Sequence, residues 1–314
     1  MMQIHEDYFG ELKRIRMTDD ATGQGISIIA DYGANINELV LVKEGNNFSV
    51  IAGYATPEAM LEHRGARSDF LIPFPNRVKD GKYSFDGKEY LLPINPKHGH
   101  AIHGLLRDKK FILKSRKAKE DSASVKLAYN YKHELEGYPF DFKAELKISL
   151  SKKGLVVETR VKNTGKQEMP FGCGWHPYLH LDEKIDDSSL KLPSSTFLEV
   201  DERMIPTGSK GTLDRFSRQR LIGKQEFDTC FALEEKKGKA KTILFSKEKK
   251  AKLIIWQETG SGKFNHLQVY IPPSRDSIAL EPMSCAGDAF NNKEGLVVLK
   301  PKENFKAKYR VRLI

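Results

Sequence analysis

Two segments place a titratable side chain among apolar or aromatic residues, where it could take part in acid–base chemistry. The first carries Glu281, which follows the apolar run Ile278–Leu280 and precedes Pro282. A buried carboxylate is costly without a cationic partner, and none stands beside it in the sequence. Burial should raise its pKa toward the range of a general base. We therefore expect a functional role for Glu281.

The second segment carries His176 between Trp175 and Pro177-Tyr178. Pro177 imposes an extended or turn geometry on His176 and excludes a helix there. Aromatic rings stack on the C–H faces of sugars, while an imidazole titrates near neutrality. Two interpretations stay open for this segment alone: a proton donor in a sugar site with Trp175 as a contact, or a core histidine beneath a loop.

Three further side chains are weaker candidates for a binding site. Arg77 follows Asn76 in a loop with two prolines and an Asp-Gly turn, so it is either a surface residue or a fork for ligand oxygens. His103 lies between Ile102 and Gly104, which suits a core histidine or a ligand contact. Asp228 is a second carboxylate among apolar residues, a weaker case than Glu281.

The spacing of His98 and His100 is that of an H-x-H metal pair. On a strand, these two side chains would share one face. Hydrolases with such a pair also need His and Asp ligands at the strand ends of a βα barrel, and that architecture is not indicated here. We expect neither a metal nor a cofactor.

The chain has three cysteines, Cys173, Cys230 and Cys285, more than fifty positions apart. No C-x-x-C pair is present, and the odd count argues against a disulfide framework. We expect reduced, buried thiols in a reducing compartment, each a few residues from one of the segments above.

Composition indicates a globular protein with a sizeable core. The 314 residues are 39% hydrophobic and 30% charged, with a mean hydropathy of −0.51. No apolar run approaches the ~18 residues of a membrane span, and the N-terminus has no basic segment followed by an apolar one. We expect a cytoplasmic protein with no membrane partner.

The net charge of +10 makes nucleic acid worth considering, but the basic residues are spread along the chain. The densest runs, 234–239 and 246–250, mix both signs and are typical of solvated hairpin turns. No basic ribbon with interleaved aromatic residues is present, so we expect no nucleic-acid partner.

The dominant periodicity is two, which predicts half-buried strands. Val125, Leu127, Tyr129 and Tyr131 alternate with largely polar neighbours, as do residues 140–150 and 155–161 on either side of a Gly-containing turn. At the C-terminus, Phe305 to Leu313 alternates with lysine and arginine. The clearest helical pattern, Thr56 to His63, is short.

This pattern predicts an all-β fold, a large antiparallel β-sandwich. No linker or internal repeat divides the chain, so we expect a single domain over 1–314. Monomer and homodimer are both open.

Taken together and in order, these motifs resemble the aldose 1-epimerase (galactose mutarotase-like) family. The matching segments are Pro75-Asn76-Arg77 with Asp80–Tyr83, Ala101–Leu105, Trp175–Leu179, Ile205–Gly208, Phe227-Asp228, Leu280–Met283 and Asp288–Asn291. Seven motifs in the right order, over roughly residues 64 to 291, are a specific signal although each alone is weak.

The resemblance implies a galactose mutarotase-like supersandwich with a sugar cleft on a concave sheet. By position, it implies that Glu281 is the general base, His176 the general acid, and His103 a second histidine that positions the ring. It implies that Arg77 and Asp228 bind sugar hydroxyls, and we add Asn76 and Trp175 as contacts. The best-known galactose mutarotases have an Asn-His-x-Tyr motif where this chain has Trp175–Tyr178, so it looks like a side branch with its preferred sugar open.

The implied activity interconverts the α and β anomers of a free aldohexose by acid–base ring opening and closure. Two alternatives stay open: a hexose-6-phosphate 1-epimerase, and a non-catalytic sugar-binding protein on the same fold. A glycoside hydrolase ranks last because it normally needs two facing carboxylates, whereas here a carboxylate pairs with a histidine.

Overall fold

The computed structural model describes residues 1–62 and 64–314, and its regular secondary structure consists mainly of antiparallel strands. In chain order the strands are β1 (Gln3–Phe9), β2 (Leu12–Asp19), β3 (Gln24–Ile29), β4 (Asn35–Lys43), β5 (Asn46–Ser49), β6 (Phe70–Leu71), β7 (Arg77–Val78), β8 (Lys82–Phe85), β9 (Lys88–Leu91), β10 (Ala101–Ile102), β11 (Ile112–Ala118), β12 (Ser122–Tyr131), β13 (Phe142–Ser151), β14 (Gly154–Asn163), β15 (Met169–Phe171), β16 (Gly174–Trp175), β17 (Tyr178–Leu179), β18 (Ser189–Lys191), β19 (Thr196–Val200), β20 (Pro206–Thr212), β21 (Arg220–Leu221), β22 (Asp228–Ala232), β23 (Gly238–Ser246), β24 (Ala251–Thr259), β25 (His266–Tyr270), β26 (Ile278–Met283), β27 (Val297–Leu299) and β28 (Asn304–Leu313).

Helices are short in the described residues. The α-helices are α1 (Pro57–Leu61) and α2 (Ala289–Asn292), and 3₁₀ turns cover Arg64–Ala66, Lys79–Gly81, Ile185–Asp187 and Asp214–Ser217. The predicted helix from Thr56 to His63 is confirmed over α1, where Thr56 Oγ1 accepts a hydrogen bond from the Ala59 amide. His63 lies outside the described residues. None of the described helices is long and apolar enough to cross a membrane.

Two large sheets form the body of the molecule. One has nine strands in the order β11-β12-β13-β14-β28-β24-β23-β18-β21. The other has the order β20-β19-β22-β25-β26-β16-β6, with β17 also paired to β26. A five-stranded sheet, β1 to β5, lies beside them, and three two-stranded ladders complete the fold: β7 with β10, β8 with β9, and β15 with β27.

The strands predicted from alternation are confirmed, and they alternate because one face of each strand is buried. On β28, Phe305, Ala307, Tyr309 and Val311 are buried while the intervening residues face solvent. The predicted hairpin is β13 and β14, which meet at the register pair Ser151 and Gly154.

The two large sheets pack face to face over one hydrophobic core. Trp175 of β16 stacks on Tyr309 of β28 with ring centroids 4.9 Å apart, and Phe171 of β15 contacts Phe305 at 5.2 Å. The same core cluster includes Met17 of the five-stranded sheet. The architecture is therefore the expected β-sandwich, and it leaves the opposite face of the β22–β25–β26 sheet available for a cleft.

Candidate active site

Register brings four polar side chains into one row across the second large sheet. Cys230 of β22 pairs with Gln268 of β25, and Gln268 pairs with Glu281 of β26. His176 lies between β16 and β17, both of which pair with β26, so it continues the row beside Glu281. Its Nε2 lies 3.3 Å from Glu281 Oε1. The structure therefore brings together the two residues predicted to carry the acid–base chemistry.

Glu281 is buried, with 2% of its surface exposed. Burial raises the pKa of this carboxyl well above its usual range, and the Asp228 carboxylate acts in the same direction. The Arg77 guanidinium opposes both effects. Glu281 consequently has a high affinity for a proton, as expected from the sequence.

His176 is held by its backbone as well as by its ring. Its amide donates to the Asp69 carbonyl oxygen at 3.0 Å, and its own carbonyl oxygen accepts from the Ser68 amide at 2.8 Å. The ring stacks on Tyr178 with centroids 5.0 Å apart. Burial lowers the pKa of His176 to about 3, and the positive charge of Arg107 contributes. Once protonated at this position, the imidazolium is a strong acid.

The β7–β10 ladder and the residues next to it place His103, Asn76 and Arg77 near Glu281 and His176. In the β7–β10 ladder Ile102 pairs with Arg77, and the His103 amide donates to the Asn76 carbonyl oxygen at 2.9 Å. The His103 ring meets the His176 ring edge to face, with centroids 5.3 Å apart. Burial and the neighbouring His176 lower the pKa of His103, so it is a neutral hydrogen-bonding group at neutral pH.

Asp288 holds the backbone of residues 77–79 through two hydrogen bonds. Its amide donates to the Arg77 carbonyl oxygen at 2.6 Å, and its Oδ1 accepts from the Lys79 amide at 2.8 Å. These bonds fix the backbone on both sides of Val78. The motif that contains Asp288 therefore has a positioning role.

Gln268 connects the binding side chains and was not predicted from the sequence. Its Nε2 donates to Asp228 Oδ1 at 2.6 Å, and its Oε1 lies 3.4 Å from Asn76 Nδ2. Arg77 Nη1 donates to Asn76 Oδ1 at 3.2 Å. The alternation of polar and apolar residues along β25 could have indicated on which face of the sheet Gln268 lies. Only strand pairing places Gln268 opposite Glu281.

Trp175 lies in the core, away from the cleft. It has no exposed surface, its ring stacks on Tyr309, and its Nε1 donates to the Ser68 carbonyl oxygen at 3.2 Å. A strand alternates its faces, so Trp175 points away from the side that its neighbour His176 occupies. The expected stacking of Trp175 on a sugar is therefore wrong for this geometry, and Trp175 instead supports the strand from behind. Tyr178 is the aromatic residue that packs beside His176.

A buried ion pair behind His176 was also missed. Asp69 Oδ2 accepts from Arg107 Nε at 2.6 Å, and Asp69 Oδ1 accepts from Asn35 Nδ2 at 3.0 Å. Asp69 is the same residue whose carbonyl oxygen holds the His176 amide. Asp69 and Arg107 lie nearly forty residues apart in the sequence, so no local pattern indicates this pair.

The H-x-H pair does not assemble a metal site in the described part of the chain. His100 is buried and its Nδ1 accepts from the Asp80 amide at 3.0 Å, whereas His98 is exposed. No group of three or more His, Cys, Asp or Glu side chains among these residues could hold a metal ion.

The three cysteines are buried free thiols around the site. Cys230 shares the row of Gln268 and Glu281, and burial raises the pKa of all three thiols. Raised thiol pKa values make a nucleophilic role unfavourable, since the thiolate is the reactive form.

Comparison with known proteins finds relatives that match most of the chain. The model of the aldose 1-epimerase family matches residues 14–312. The uncharacterised protein YihR of Escherichia coli K12 is 30% identical over 290 residues, which cover 89% of this chain and 87% of YihR. The galactose mutarotase of Rattus norvegicus is 28% identical over 262 residues, covering 76% and 74% of the two chains.

Solved structures show the same fold. A galactose mutarotase-like protein of Clostridium acetobutylicum superposes with a TM-score of 0.87 at 23% identity, covering 100% of this chain and 98% of the other. The galactose 1-epimerase of Lactobacillus acidophilus gives a TM-score of 0.81 at 18% identity, covering 100% and 98%. With the family model matched over nearly the whole chain, this protein belongs to the aldose 1-epimerase family.

Proposed function

We propose that the protein is an aldose 1-epimerase that interconverts the α and β anomers of a free aldohexose. The observation that carries the proposal is the buried pair of Glu281 and His176, with 3.3 Å between Oε1 and Nε2. The two groups have pKa values shifted in opposite directions. A strong base beside a strong acid is what the opening of a hemiacetal requires.

The reaction needs one proton moved at each end of the C1–O5 unit. Glu281 takes the proton of the C1 hydroxyl while His176 protonates the ring oxygen, and the C1–O5 bond breaks to give the open-chain aldehyde. Rotation about C1–C2 presents the other carbonyl face. The reverse transfers close the ring as the other anomer and return each proton to its starting group.

The working pair carries a single proton, and catalysis needs it on His176. Before a sugar binds, the shifted pKa values place that proton on Glu281. Both arrangements hold the same number of protons, so the fraction of reactive pair does not change with pH between the two apparent pKa values. Sugar hydroxyls that hydrogen-bond to the Glu281 carboxylate would favour the reactive arrangement.

The surrounding side chains supply complementary contacts for a sugar. Arg77 offers guanidinium donors, Asp228 an acceptor, and Asn76 and Gln268 one of each. His103, neutral at physiological pH, can donate to or accept from a hydroxyl beside His176. This mixture suits the paired donor and acceptor character of vicinal hydroxyls.

The charges near the site favour a free sugar over a 6-phosphate. Arg107, the cation behind His176, is already paired with Asp69, and Arg77 faces the Asp228 carboxylate. A phosphate dianion would have to compete with these carboxylates for Arg107 or Arg77. Arg67, whose Cζ lies 5.1 Å from the Tyr178 ring centroid, donates to the Ala52 carbonyl oxygen. The hexose-6-phosphate alternative therefore has less support than the free aldohexose.

Anomer exchange measured by NMR saturation transfer tests the proposal. The panel contains free aldoses, with galactose and glucose first, and their 6-phosphates. We expect accelerated exchange for free sugars, and a loss of about 10²–10⁴-fold in Glu281→Gln and in His176→Asn. Glu145→Gln and His133→Asn are matched controls on surface residues and should keep the wild-type rate.

Three results would contradict the proposal. Acceleration restricted to phosphorylated sugars would establish the hexose-6-phosphate epimerase instead. Sugar binding without exchange would establish a non-catalytic binding protein. Full activity in both site variants would remove the assigned roles from Glu281 and His176.

A further inference from the structure

The outer face of the nine-stranded sheet, the face turned away from the core, is strongly basic. It begins with β28, whose outward side chains Lys306, Lys308, Arg310 and Arg312 are all cations. These four alternate with the buried Phe305, Ala307, Tyr309 and Val311. Residues two apart on a strand lie about 6.8 Å apart on one face, so the four charges form a line of about 20 Å.

Register extends the basic character to the strands on both sides. The outward cations of β12 to β14 are Lys126, Lys143, Lys147, Arg160 and Lys162. Those of β18, β23 and β24 are Lys191, Lys239, Lys241 and Lys252. The face thus spans seven neighbouring strands.

Acidic side chains are few on this face. Among the outward positions of the seven strands, only Glu145, Glu158 and Glu258 oppose the thirteen cations. The resulting net charge of +10 equals that of the whole chain, so the remainder of the molecule is balanced. The net positive charge, which looks dispersed in the sequence, therefore lies on one side of the fold.

The arrangement includes contacts that oppose folding. Lys126 lies directly opposite Lys147, and Arg160 lies directly opposite Lys306. Like charges at such positions destabilise a sheet. Carboxylates offset part of this repulsion, since Lys147 also lies opposite Glu158 and Arg160 also lies opposite Glu145. Glu158 Oε1 lies 3.3 Å from Lys306 Nζ as well. Three carboxylates cannot neutralise thirteen cations, so the excess positive charge of this face is available to an external anionic partner.

Apolar side chains lie among the cations at the β23–β24 end. Trp256 is half-buried, with Lys239 Nζ 4.8 Å and Arg310 Cζ 5.3 Å from its ring centroid. Ile243 and Ile254 pair beside it and are also half-buried. Tryptophan among basic residues is typical of the interface between a membrane and water.

A lysine-lined pocket of about 640 Å³ adjoins the same corner. Lys191, Lys239 and Lys241 of the basic face line it together with Lys236 and Lys237 of the preceding loop. Hydroxyls of Ser194, Ser195 and Ser217 are also present. Glu234 also lines the pocket, so five lysines face a single carboxylate. This excess of positive charge with the nearby hydroxyls suits a phosphate group, such as the headgroup of a phospholipid.

We propose that this basic face docks on the surface of an anionic phospholipid bilayer. The charge is spread in two dimensions over seven strands, which matches a surface better than it matches a single phosphate chain. Ten of the thirteen cations are lysines, which act as point charges, whereas nucleic-acid sites favour the arginine fork. Cations within about 10 Å of the lipid contribute even without touching it.

Docking in this orientation leaves the catalytic cleft open. Glu281 and His176 lie on the far side of the second sheet, whose inner face packs against β28 through Trp175 and Tyr309. The proposal revises the expectation of no membrane partner, because that expectation came from the lack of a membrane-spanning apolar run, and a protein can bind a bilayer surface without spanning it. It is independent of the proposed catalytic function.

Vesicle sedimentation tests the proposal. The full chain is mixed with vesicles of phosphatidylglycerol and phosphatidylcholine, or of phosphatidylcholine alone, over a range of NaCl concentrations. We expect binding to the anionic vesicles only, weakening steeply as salt rises. Each lysine near such a surface is worth about 1 kcal/mol, so Lys126→Glu with Lys147→Glu should weaken binding by about 25-fold or more.

The control variant Lys82→Glu with Lys88→Glu makes the same charge change on the separate β8–β9 hairpin and should bind as wild type. Thermal unfolding of both variants confirms that they are folded. Equal binding to neutral vesicles, equal loss in both double variants, or binding to duplex DNA without binding to vesicles would overturn the proposal.

Discussion

Burial shifts the pKa values of Glu281 and His176, the two central side chains, in opposite directions. Glu281 and His176 are held 3.3 Å apart inside the protein, where the charged form of each is disfavoured. The pKa of the carboxyl rises and that of the imidazole falls, so one becomes a stronger base and the other a stronger acid. Burial of both groups therefore lowers the free energy of unfolding of the protein.

Replacing Glu281 by glutamine should therefore stabilise the protein in a pH-dependent way. The pKa of Glu281 is raised in the folded state, so above its ordinary value of 4.5 the unfolded chain releases a proton that the folded chain retains. Wild-type stability then falls with rising pH relative to the variant. We expect Tm values that coincide below about pH 4 and separate progressively above it, as measured by scanning calorimetry.

Glutamine removes the ionisation and keeps the shape, so Glu145→Gln on the surface is the matched control. A Tm difference for Glu281→Gln that stayed constant from acid to neutral pH would mean that burial of the charge is not what the substitution relieves.

Short strands and tight loops, more than long strands, position the site. His176 interrupts the strand formed by β16 and β17, and Pro177 keeps that interruption extended. His103 follows the two-residue strand β10 and has a positive φ of 64°. The long strands of the sandwich provide the rigid base on which these short elements rest.

Substitution of Gly104 should disturb the loop that follows β10 and carries His103. It has a φ of +75°, and a Cβ at this position would collide with the Ile72 carbonyl oxygen. We expect Gly104→Ala to lower the free energy of unfolding by at least about 1 kcal/mol and to displace His103. Urea unfolding measures the first effect and the KM for sugar the second.

Gly87 provides the control, since its φ is +71° and no atom lies within 4 Å of a Cβ there. Gly87→Ala should show the cost of backbone strain alone and leave KM unchanged. An unchanged KM in Gly104→Ala would show that this loop tolerates movement without affecting the sugar.

At the scale of the whole molecule, one hydrophobic core joins all the large sheets. The cluster contains Met17 of the five-stranded sheet, Leu146 of the nine-stranded sheet and Leu280 of the sheet that carries the site. No boundary divides this core among the described residues. The three sheets should therefore stabilise one another.

We accordingly expect a single cooperative unfolding transition. Trp175 lies in the core between the two large sheets, so Trp256→Phe leaves it as the sole tryptophan reporter of their contact. Its fluorescence and the far-ultraviolet circular dichroism should change at one urea concentration. Two separate transitions would show that the five-stranded sheet or the cleft sheet unfolds independently, against the expectation of a single domain.

Contacts between distant parts of the chain explain why some site residues could be predicted from the sequence and others could not. Glu281 and His176 were recognisable because each is a titratable residue within an apolar or aromatic segment. Gln268 lies between Leu267 and Val269 but is not ionisable, and Asp69 and Arg107 stand only at the ends of apolar runs. All three reach the site through contacts with residues far away in the sequence. Trp175 was assigned to the wrong side because local sequence does not show on which face of a short strand a side chain lies.

The sequence by itself determined the strands, the sandwich and the family, since alternation and ordered motifs are local properties of the chain. Only the tertiary structure decided that Glu281 faces His176, that Trp175 packs in the core behind its strand, and that thirteen cations share one face of a sheet. The physical reason is register. Pairing between strands from distant parts of the chain sets which side chains become neighbours, and a shift of one residue would turn each of them to the opposite side of the sheet.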